Sequence, residues 1–317
     1  MSTGPLIASQ WGPALGQLLQ QRRPDLRIHK LERTPVWPLR GDASVLLVRP
    51  FLPQDRQQPA PAGWPFGLRW VQLISVGFET YPRWLLDTPG VHVSTAHGTS
   101  SEVIAEFALA SILRVQLRLA ERRVQAAAGW RQSEAPGIAG GTLGLFGFGG
   151  IGQALARKAL ALGMQVKALR RSDAPLPVPG VQRARDLDEL LASSDHLVLA
   201  APGTADTRGL IDAAALARMK PGAHLVNLAR GALVDQDALR AALDSGQLGW
   251  ASLDVCDPEP LPEGHWLYTH PRVWLTPHTS AFGPAVSVAL ADKVVRGLAA
   301  LEQGEVPEDP IDLVRGY

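Results

Sequence analysis

Short apolar runs, set apart by Gly, Pro and polar residues, fill the first third of the chain. Residues 26–29, 45–48, 70–74 and 91–94 each have the length and residue types of a strand. Residues 49–64 are rich in Pro and Gln and read as an exposed loop. The pattern changes near residue 99. Thr99 followed by Glu102 spells a capping box, and the apolar run 103–119 is long enough for a helix of several turns. It is apolar on most faces (Val103, Ile104, Phe107, Ile112, Leu113), which predicts burial between two layers and a crossing from one domain into the next. From Thr142 onward, strand-like runs at 143–146, 166–169, 197–201, 223–228, 251–255 and 273–276 alternate with helical segments at 151–162, 212–219 and 235–243. A last helix is expected at 285–303. Short apolar strands separated by helices predict an α/β protein with a parallel sheet covered on both faces.

Composition narrows the classes. A chain of 317 residues fits two domains of ordinary size. Its formal net charge of +1, with basic residues scattered, gives no electrostatic reason to expect a nucleic acid or an anionic membrane as partner. No apolar run approaches the roughly 20 residues of a membrane span. Met1-Ser2-Thr3-Gly4-Pro5 lacks the charged and apolar regions of a secretory signal. A single cysteine, Cys256, excludes an intrachain disulfide and any zinc cluster of several thiolates. The expectation is a cytoplasmic, two-domain protein.

The first chemical signal is the turn Gly147-Phe148-Gly149-Gly150-Ile151-Gly152. Glycine-rich turns are common, but this one follows a strand, opens a helix and lies inside a continuing βαβ series. Gly147 permits the tight turn, Gly149 lets the backbone approach a pyrophosphate, and Gly152 lets helix and strand pack closely. Free N–H groups at Gly150 and Ile151 meet the negative charge at the favourable end of the helix dipole. A dinucleotide is therefore expected. An acidic residue at the end of the second strand would select NAD through the ribose 2′-hydroxyl. Here that strand runs into Arg170-Arg171-Ser172, two guanidinium groups and a hydroxyl suited to a 2′-phosphate, so NADP(H) is favoured over NAD(H). Asp173, beyond the arginine pair, is the competing ribose partner.

Three later segments carry the reaction. They are Met219-Lys220-Pro221-Gly222-Ala223-His224-Leu225-Val226-Asn227-Leu228-Ala229-Arg230-Gly231, then Leu253-Asp254-Val255-Cys256-Asp257-Pro258-Glu259-Pro260-Leu261, then Leu275-Thr276-Pro277-His278-Thr279-Ser280. In order and spacing they resemble the arginine, glutamate and histidine motifs of the D-isomer-specific 2-hydroxyacid dehydrogenase family. The resemblance covers about 68–304 and implies a Rossmann-type doubly wound parallel sheet at 99–283. It also implies a smaller flavodoxin-like α/β substrate domain built from 1–98 and 284–317, and homodimerisation through the cofactor domain. By the same resemblance Arg230 binds substrate, His278 is the acid/base, and Glu259 is the partner of His278. Asp254 meets the nicotinamide carboxamide, and Pro202 and Thr207 count among the cofactor contacts. The chemistry is coherent without the family name. Reducing a 2-keto acid needs a cation for the carboxylate and a proton for the carbonyl oxygen. Arg230 and His278 both follow predicted strands, on the edge where open α/β sheets place ligands.

The first domain adds Ile74-Ser75-Val76-Gly77, which resembles the family loop whose amides hold the substrate carboxylate. Ser75, Val76, Gly77 and Arg49, the last at the end of a predicted strand, are the candidate substrate contacts. The chain departs from the common pattern at Gly150, where relatives often carry Arg, at Phe78-Glu79-Thr80, and at Thr279-Ser280-Ala281. His265 and His270 lie in a loop with no third ligand, so no metal site is expected. The expected activity is interconversion of a 2-keto acid and a D-2-hydroxy acid, of glyoxylate or hydroxypyruvate reductase type. The alternative is a dinucleotide-sensing protein that keeps the fold but does not need catalysis.

Overall fold

The computed structural model describes residues 4–32, 42–134 and 136–314. The chain divides into two compact units, Met1–Ser100 with Gly283–Tyr317, and Ser101–Phe282.

The first unit is built on β1 (Leu6–Ser9), α1 (Pro13–Arg22), β2 (Arg27–Lys30), β3 (Ala43–Val48), β4 (Trp70–Leu73), α2 (Arg83–Leu86) and β5 (His92–Ser94). Its five strands are parallel in the order β2-β1-β3-β4-β5, so the direction of winding reverses beside β1, as in flavodoxin-like sheets. β1 and α1 lay outside the sequence expectation. The loop at 49–64 is exposed or half-exposed along its length, with Phe51 as its one buried residue. Phe51 is buried and meets Tyr81 and Trp84 edge-to-face, and Trp64 donates to the Thr88 hydroxyl.

The second unit holds α3 (Ser101–Gln116), β6 (Thr142–Phe146), α4 (Gly150–Ala161), β7 (Gln165–Leu169), β8 (Val181–Arg183), α5 (Leu187–Ser193) and β9 (His196–Leu199). It continues with α6 (Ala213–Arg218), β10 (Ala223–Asn227), α7 (Gln236–Ser245), β11 (Leu248–Leu253) and β12 (Val273–Leu275). α8 (Pro284–Glu302) belongs to the first unit, where Leu290, Val294 and Leu298 pack with Trp70 and Val45. The seven-stranded sheet is parallel throughout, in the order β12-β11-β10-β9-β6-β7-β8, with the switch between β6 and β9. This is the doubly wound Rossmann arrangement, and it puts the ends of β6, β7, β9, β10 and β11 on one edge.

α3 corrects two expectations. The Thr99 hydroxyl donates to Ala96 O, and the Glu102 carboxylate pairs with Arg157 and Lys158 of α4, so the anticipated capping box does not form. The helix ends at Gln116 and buries one stripe, Ile104, Ala105, Ala108, Ser111 and Ile112, against α4; Phe107 and Leu113 stay half-buried.

A polar chain crosses the core beside this helix. Gln116 donates its amide to Gly137 O at 3.0 Å, so its oxygen faces His196 Nε2 at 3.1 Å. An amide oxygen only accepts, so the His196 proton sits on Nε2 and its Nδ1 accepts from His224 Nδ1–H at 3.2 Å. His224 Nε2 then accepts from the Ser252 hydroxyl at 2.9 Å. Burial holds the His196 pKa down at about 4, and burial, with the repulsion a proton there would meet from a protonated His196 and from Arg114, holds His224 well below the ordinary value. Both rings are therefore neutral in the native protein. Folded pKa values below the unfolded one mean that stability is complete above about pH 6.5 and drains away as pH falls toward 4. For His196 alone, the fall from 6.5 to about 4 corresponds to about 3 kcal/mol. Urea midpoints are expected to drop between pH 7 and pH 4.5, and to drop less in a His196→Gln/His224→Gln variant. Equal losses would rule the pair out as the source.

Candidate active site

The glycine turn joins β6 to α4. Gly147 has φ +99°, and a Cβ there would lie 2.6 Å from Ala201 N of the neighbouring strand end, so only glycine fits. A Cβ on Gly152 would stand 2.6 Å from Gly147 O, which explains the close helix–strand approach. Phe148 is buried in the core cluster that also holds Ala154 and Leu155, and Ile151 packs on the same cluster. Gly149 is the N-cap of α4, has open space where a Cβ would stand, and brings no side-chain cap; no acidic residue follows in the first turn. The N–H groups opening α4 are thus left to an outside acceptor, and a dinucleotide pyrophosphate fits them. Gly150 also has a local cause: a Cβ there would collide with the Ser101 hydroxyl, so a longer side chain would need Ser101 to move.

Arg170 directly follows β7 and is half-buried, while Arg171, Ser172 and Asp173 are exposed. Arg183 donates to Ser172 O at 3.1 Å and bonds Ala174 O, which ties the loop down. After β9, the Thr207 hydroxyl donates to Pro202 O at 2.9 Å and accepts from Thr204 N at 2.8 Å, closing the loop that carries both residues.

Arg230, Glu259 and His278 come together past the ends of β10, β11 and β12. Arg230 caps the one-turn 3-10 helix Gly231–Leu233, and its Nη1 donates to Ala229 O at 2.7 Å. Glu259 Oε1 accepts from Cys256 N at 3.0 Å, which turns Oε2 toward His278 Nδ1 at 2.9 Å. With Nδ1 so engaged, Nε2 is the His278 nitrogen open to a reacting group, on a side chain that is 48% exposed. The Glu259 hydrogen bond and charge raise the His278 pKa against the opposing pull of burial and of the Arg230 charge. Burial pushes Glu259 up, but the His278 hydrogen bond and charge, Cys256 N–H and Arg230 bring it to a net value below the ordinary carboxylate.

Asp254 is only 1% exposed. Its Oδ1 accepts from the Thr276 hydroxyl at 2.6 Å and Thr279 N at 2.9 Å, and its Oδ2 from Ser280 N at 3.0 Å. Its backbone oxygen takes His278 N at 2.8 Å, and His278 itself sits at φ +50°. Sequence reasoning missed this anchoring of the histidine loop. The motif named the residue, but only the fold shows which backbone groups it serves.

Cys256 is half-buried, and burial together with Glu259 and Asp257 pushes its thiol up to about 11, so it is no nucleophile at neutral pH. His265 accepts from Leu267 N and His270 faces Asp244 at 3.3 Å; each is occupied in local structure.

In the first unit, the Ser75 hydroxyl donates to Gly77 O at 2.8 Å and lies 3.0 Å from Tyr81 OH, itself 3.2 Å from Val48 O. Ser75 thus shapes the 75–77 loop with its side chain, while Val76 is exposed. Buried Tyr81, absent from the sequence reading, is the post on which that loop rests. The Arg49 guanidinium lies 5.7 Å from the Trp11 ring centre, and Arg49 N donates to Gln10 Oε1 at 3.0 Å.

Residues 107–280 match the family model described as D-isomer specific 2-hydroxyacid dehydrogenase, NAD binding domain. Glyoxylate/hydroxypyruvate reductase A of Serratia proteamaculans is 35% identical over 221 residues, covering 68% of this chain and 69% of that protein. A D-isomer specific 2-hydroxyacid dehydrogenase from Xanthobacter autotrophicus Py2, solved with NADPH and MES, is similar with a TM-score of 0.82 at 28% identity, covering 99% of each chain. An NADPH-dependent glyoxylate/hydroxypyruvate reductase from Sinorhizobium meliloti, in complex with NADP and sulfate, gives a TM-score of 0.79 at 27% identity, over 99% of this chain and 100% of that one.

Proposed function

Because the chain belongs to the D-isomer specific 2-hydroxyacid dehydrogenases, oxidoreductases that use nicotinamide dinucleotides, we propose that it reduces a 2-keto acid of glyoxylate or hydroxypyruvate type with NADPH. The observation that carries this reading is the Glu259–His278 pair at 2.9 Å beside Arg230. A bound nicotinamide supplies the hydride that reduces the keto carbon. Arg230 pairs its guanidinium with the substrate carboxylate and draws electron density from the adjacent carbonyl. His278 holds its proton on Nε2, poised for the carbonyl oxygen, because Glu259 fixes the ring through Nδ1 and favours the charged form. Asp254 is assigned to the nicotinamide end, where it also ties down the loop carrying His278. The backbone of Ser75, Val76 and Gly77, with Arg49, is assigned to the substrate.

Gly147, Phe148, Gly149, Gly150, Ile151 and Gly152 are assigned to the pyrophosphate, with Pro202 and Thr207 further along the dinucleotide. Arg170, Arg171 and Ser172 are assigned to the 2′-phosphate of NADP, a choice supported by their place after β7 and by the NADPH and NADP carried by the two solved relatives. Removing both arginines as Arg170→Ala/Arg171→Ala is expected to raise the NADPH dissociation constant at least tenfold, at about 1.4 kcal/mol per tenfold, while NADH binding changes little. Equal losses for both dinucleotides in fluorescence titration would count against the phosphate role. NADPH oxidation measured across a panel of 2-keto acids tests the activity itself; silence across the panel would favour a sensor.

A homodimer through the second unit is supported by apolar side chains that this chain leaves uncovered, Leu119 at 52% and Trp130 at 81% exposure, beyond half-buried Phe107 and Leu113 on α3. A cytoplasmic setting accords with a chain whose lone cysteine has no intrachain partner.

A further inference from the structure

Arg230 stands on a loop, and a loop holds a guanidinium in one place only if its backbone is held. Asn227, the last residue of β10, does this holding. It is buried, at 1% exposure, and its side chain bridges two residues of the loop that follows. Its Oδ1 accepts from Ala229 N at 3.1 Å, and its Nδ2 donates to Arg230 O at 2.8 Å. Its own backbone oxygen accepts from Asp254 N at 3.0 Å, so the turn that presents Arg230 is bonded to the residue that anchors the His278 loop. The Arg230 side chain is confined as well. Nη1 bonds Ala229 O, the carbonyl between the two groups Asn227 clasps, and a Cβ on Gly203 would fall 2.7 Å from Arg230 Cγ. An aspartate of the same shape would keep the acceptor for Ala229 N but set a carboxylate oxygen against the carbonyl of Arg230. A donor would be replaced by a repulsion at that single atom.

We propose that Asn227 is a positioning residue for the reaction: it fixes the backbone of Arg230 through its side-chain amide and so sets the guanidinium for the substrate carboxylate. The inference rests on the assignment of Arg230 to substrate, made above. A residue that acts only through Arg230 has nothing to act on once that guanidinium is gone.

The test is a double-mutant cycle on the full-length protein, with kcat and KM for glyoxylate reduction by NADPH as the readout and NADPH dissociation constants alongside. Asn227→Asp is expected to lower kcat/KM between tenfold and a hundredfold and to change NADPH binding less than twofold. Asn227→Asp combined with Arg230→Ala is expected to be no worse than Arg230→Ala alone. Multiplied penalties, an unchanged kcat/KM in Asn227→Asp, or a parallel loss of NADPH binding would each overturn the positioning role. Wild-type activity in Arg230→Ala would instead overturn the assignment of Arg230, a different outcome with its own signature. If Asn227→Asp does not yield folded protein, Asn227→Ser enters the same cycle. Its shorter hydroxyl gives up the bridge to Arg230 O without adding a charge, and the same criteria apply.

Discussion

Arg230→Ala is expected to lower kcat/KM for a 2-keto acid by about a thousandfold while NADPH binds almost as before. The magnitude follows from the interaction removed. Truncating one partner of a desolvated, hydrogen-bonded charge pair costs roughly 2–5 kcal/mol, and about 4 kcal/mol is three powers of ten in rate. The sparing of NADPH follows from placement. Arg230 extends from the turn after β10, whereas the glycine turn lies after β6 and Arg170 after β7. Arg230→Lys is expected to recover only part of the loss, because an ammonium keeps the charge but not the planar fork that matches a carboxylate. Steady-state kinetics with a parallel fluorescence titration of NADPH reads both quantities. Loss of cofactor binding equal to the loss of activity would mean that Arg230 supports the fold of the site and not the substrate.

The second large effect is expected at His278. His278→Ala removes the proton donor, and positioned acid–base groups contribute on the order of a hundredfold to ten-thousandfold. The pH dependence carries a sign that separates His278 from a structural histidine. Reduction needs the protonated ring, and Glu259 raises the pKa at which that proton is lost. Reductive kcat/KM should therefore hold on the acid side and fall as pH rises through the elevated value. Oxidation of the hydroxy acid needs the neutral ring and should rise over the same interval. Glu259→Gln keeps an oxygen that can accept from Nδ1 but removes the charge, so the reductive limb is expected to move to lower pH. A limb that stays in place in Glu259→Gln would exclude Glu259 as its cause.

The parts of the molecule that were legible in the sequence share a physical feature. Parallel strands buried on both faces read as plain apolar runs, and β6, β9 and β10 are buried or nearly so along their length, so these strands stood out. The glycine turn was legible because backbone contacts at Gly147 and Gly152 leave no room for a side chain. What stayed hidden depends on tertiary context. β8 has a single apolar residue, Val181, and α1 buries only Leu15 and Leu19 without a side-chain cap, so neither carries a periodic signal of its own. Thr99 and Glu102 have the spacing of a capping box, but Ala96 O and the α4 cations compete successfully for them. His196 and His224 are polar residues inside apolar strands. Their partners, Gln116 and Ser252, are remote in sequence and meet them only when β9, β10 and β11 are laid side by side. The same holds at the site. Arg230, Glu259 and His278 are visible as residue types in motifs, while Asn227 and Asp254 become intelligible only from the atoms they bond.

The central claim joins three assignments: NADPH as the reductant, a 2-keto acid as the substrate, and a site that delivers the proton from His278 while Arg230 holds the carboxylate. One measurement reaches the first two and the face of the keto carbon that the site presents to the hydride. The protein is incubated with NADPH and hydroxypyruvate, and the configuration of the glycerate formed is determined by chiral chromatography. D-glycerate formed in step with NADPH oxidation is the expected result. L-glycerate, or no NADPH oxidation with hydroxypyruvate or glyoxylate, would contradict it.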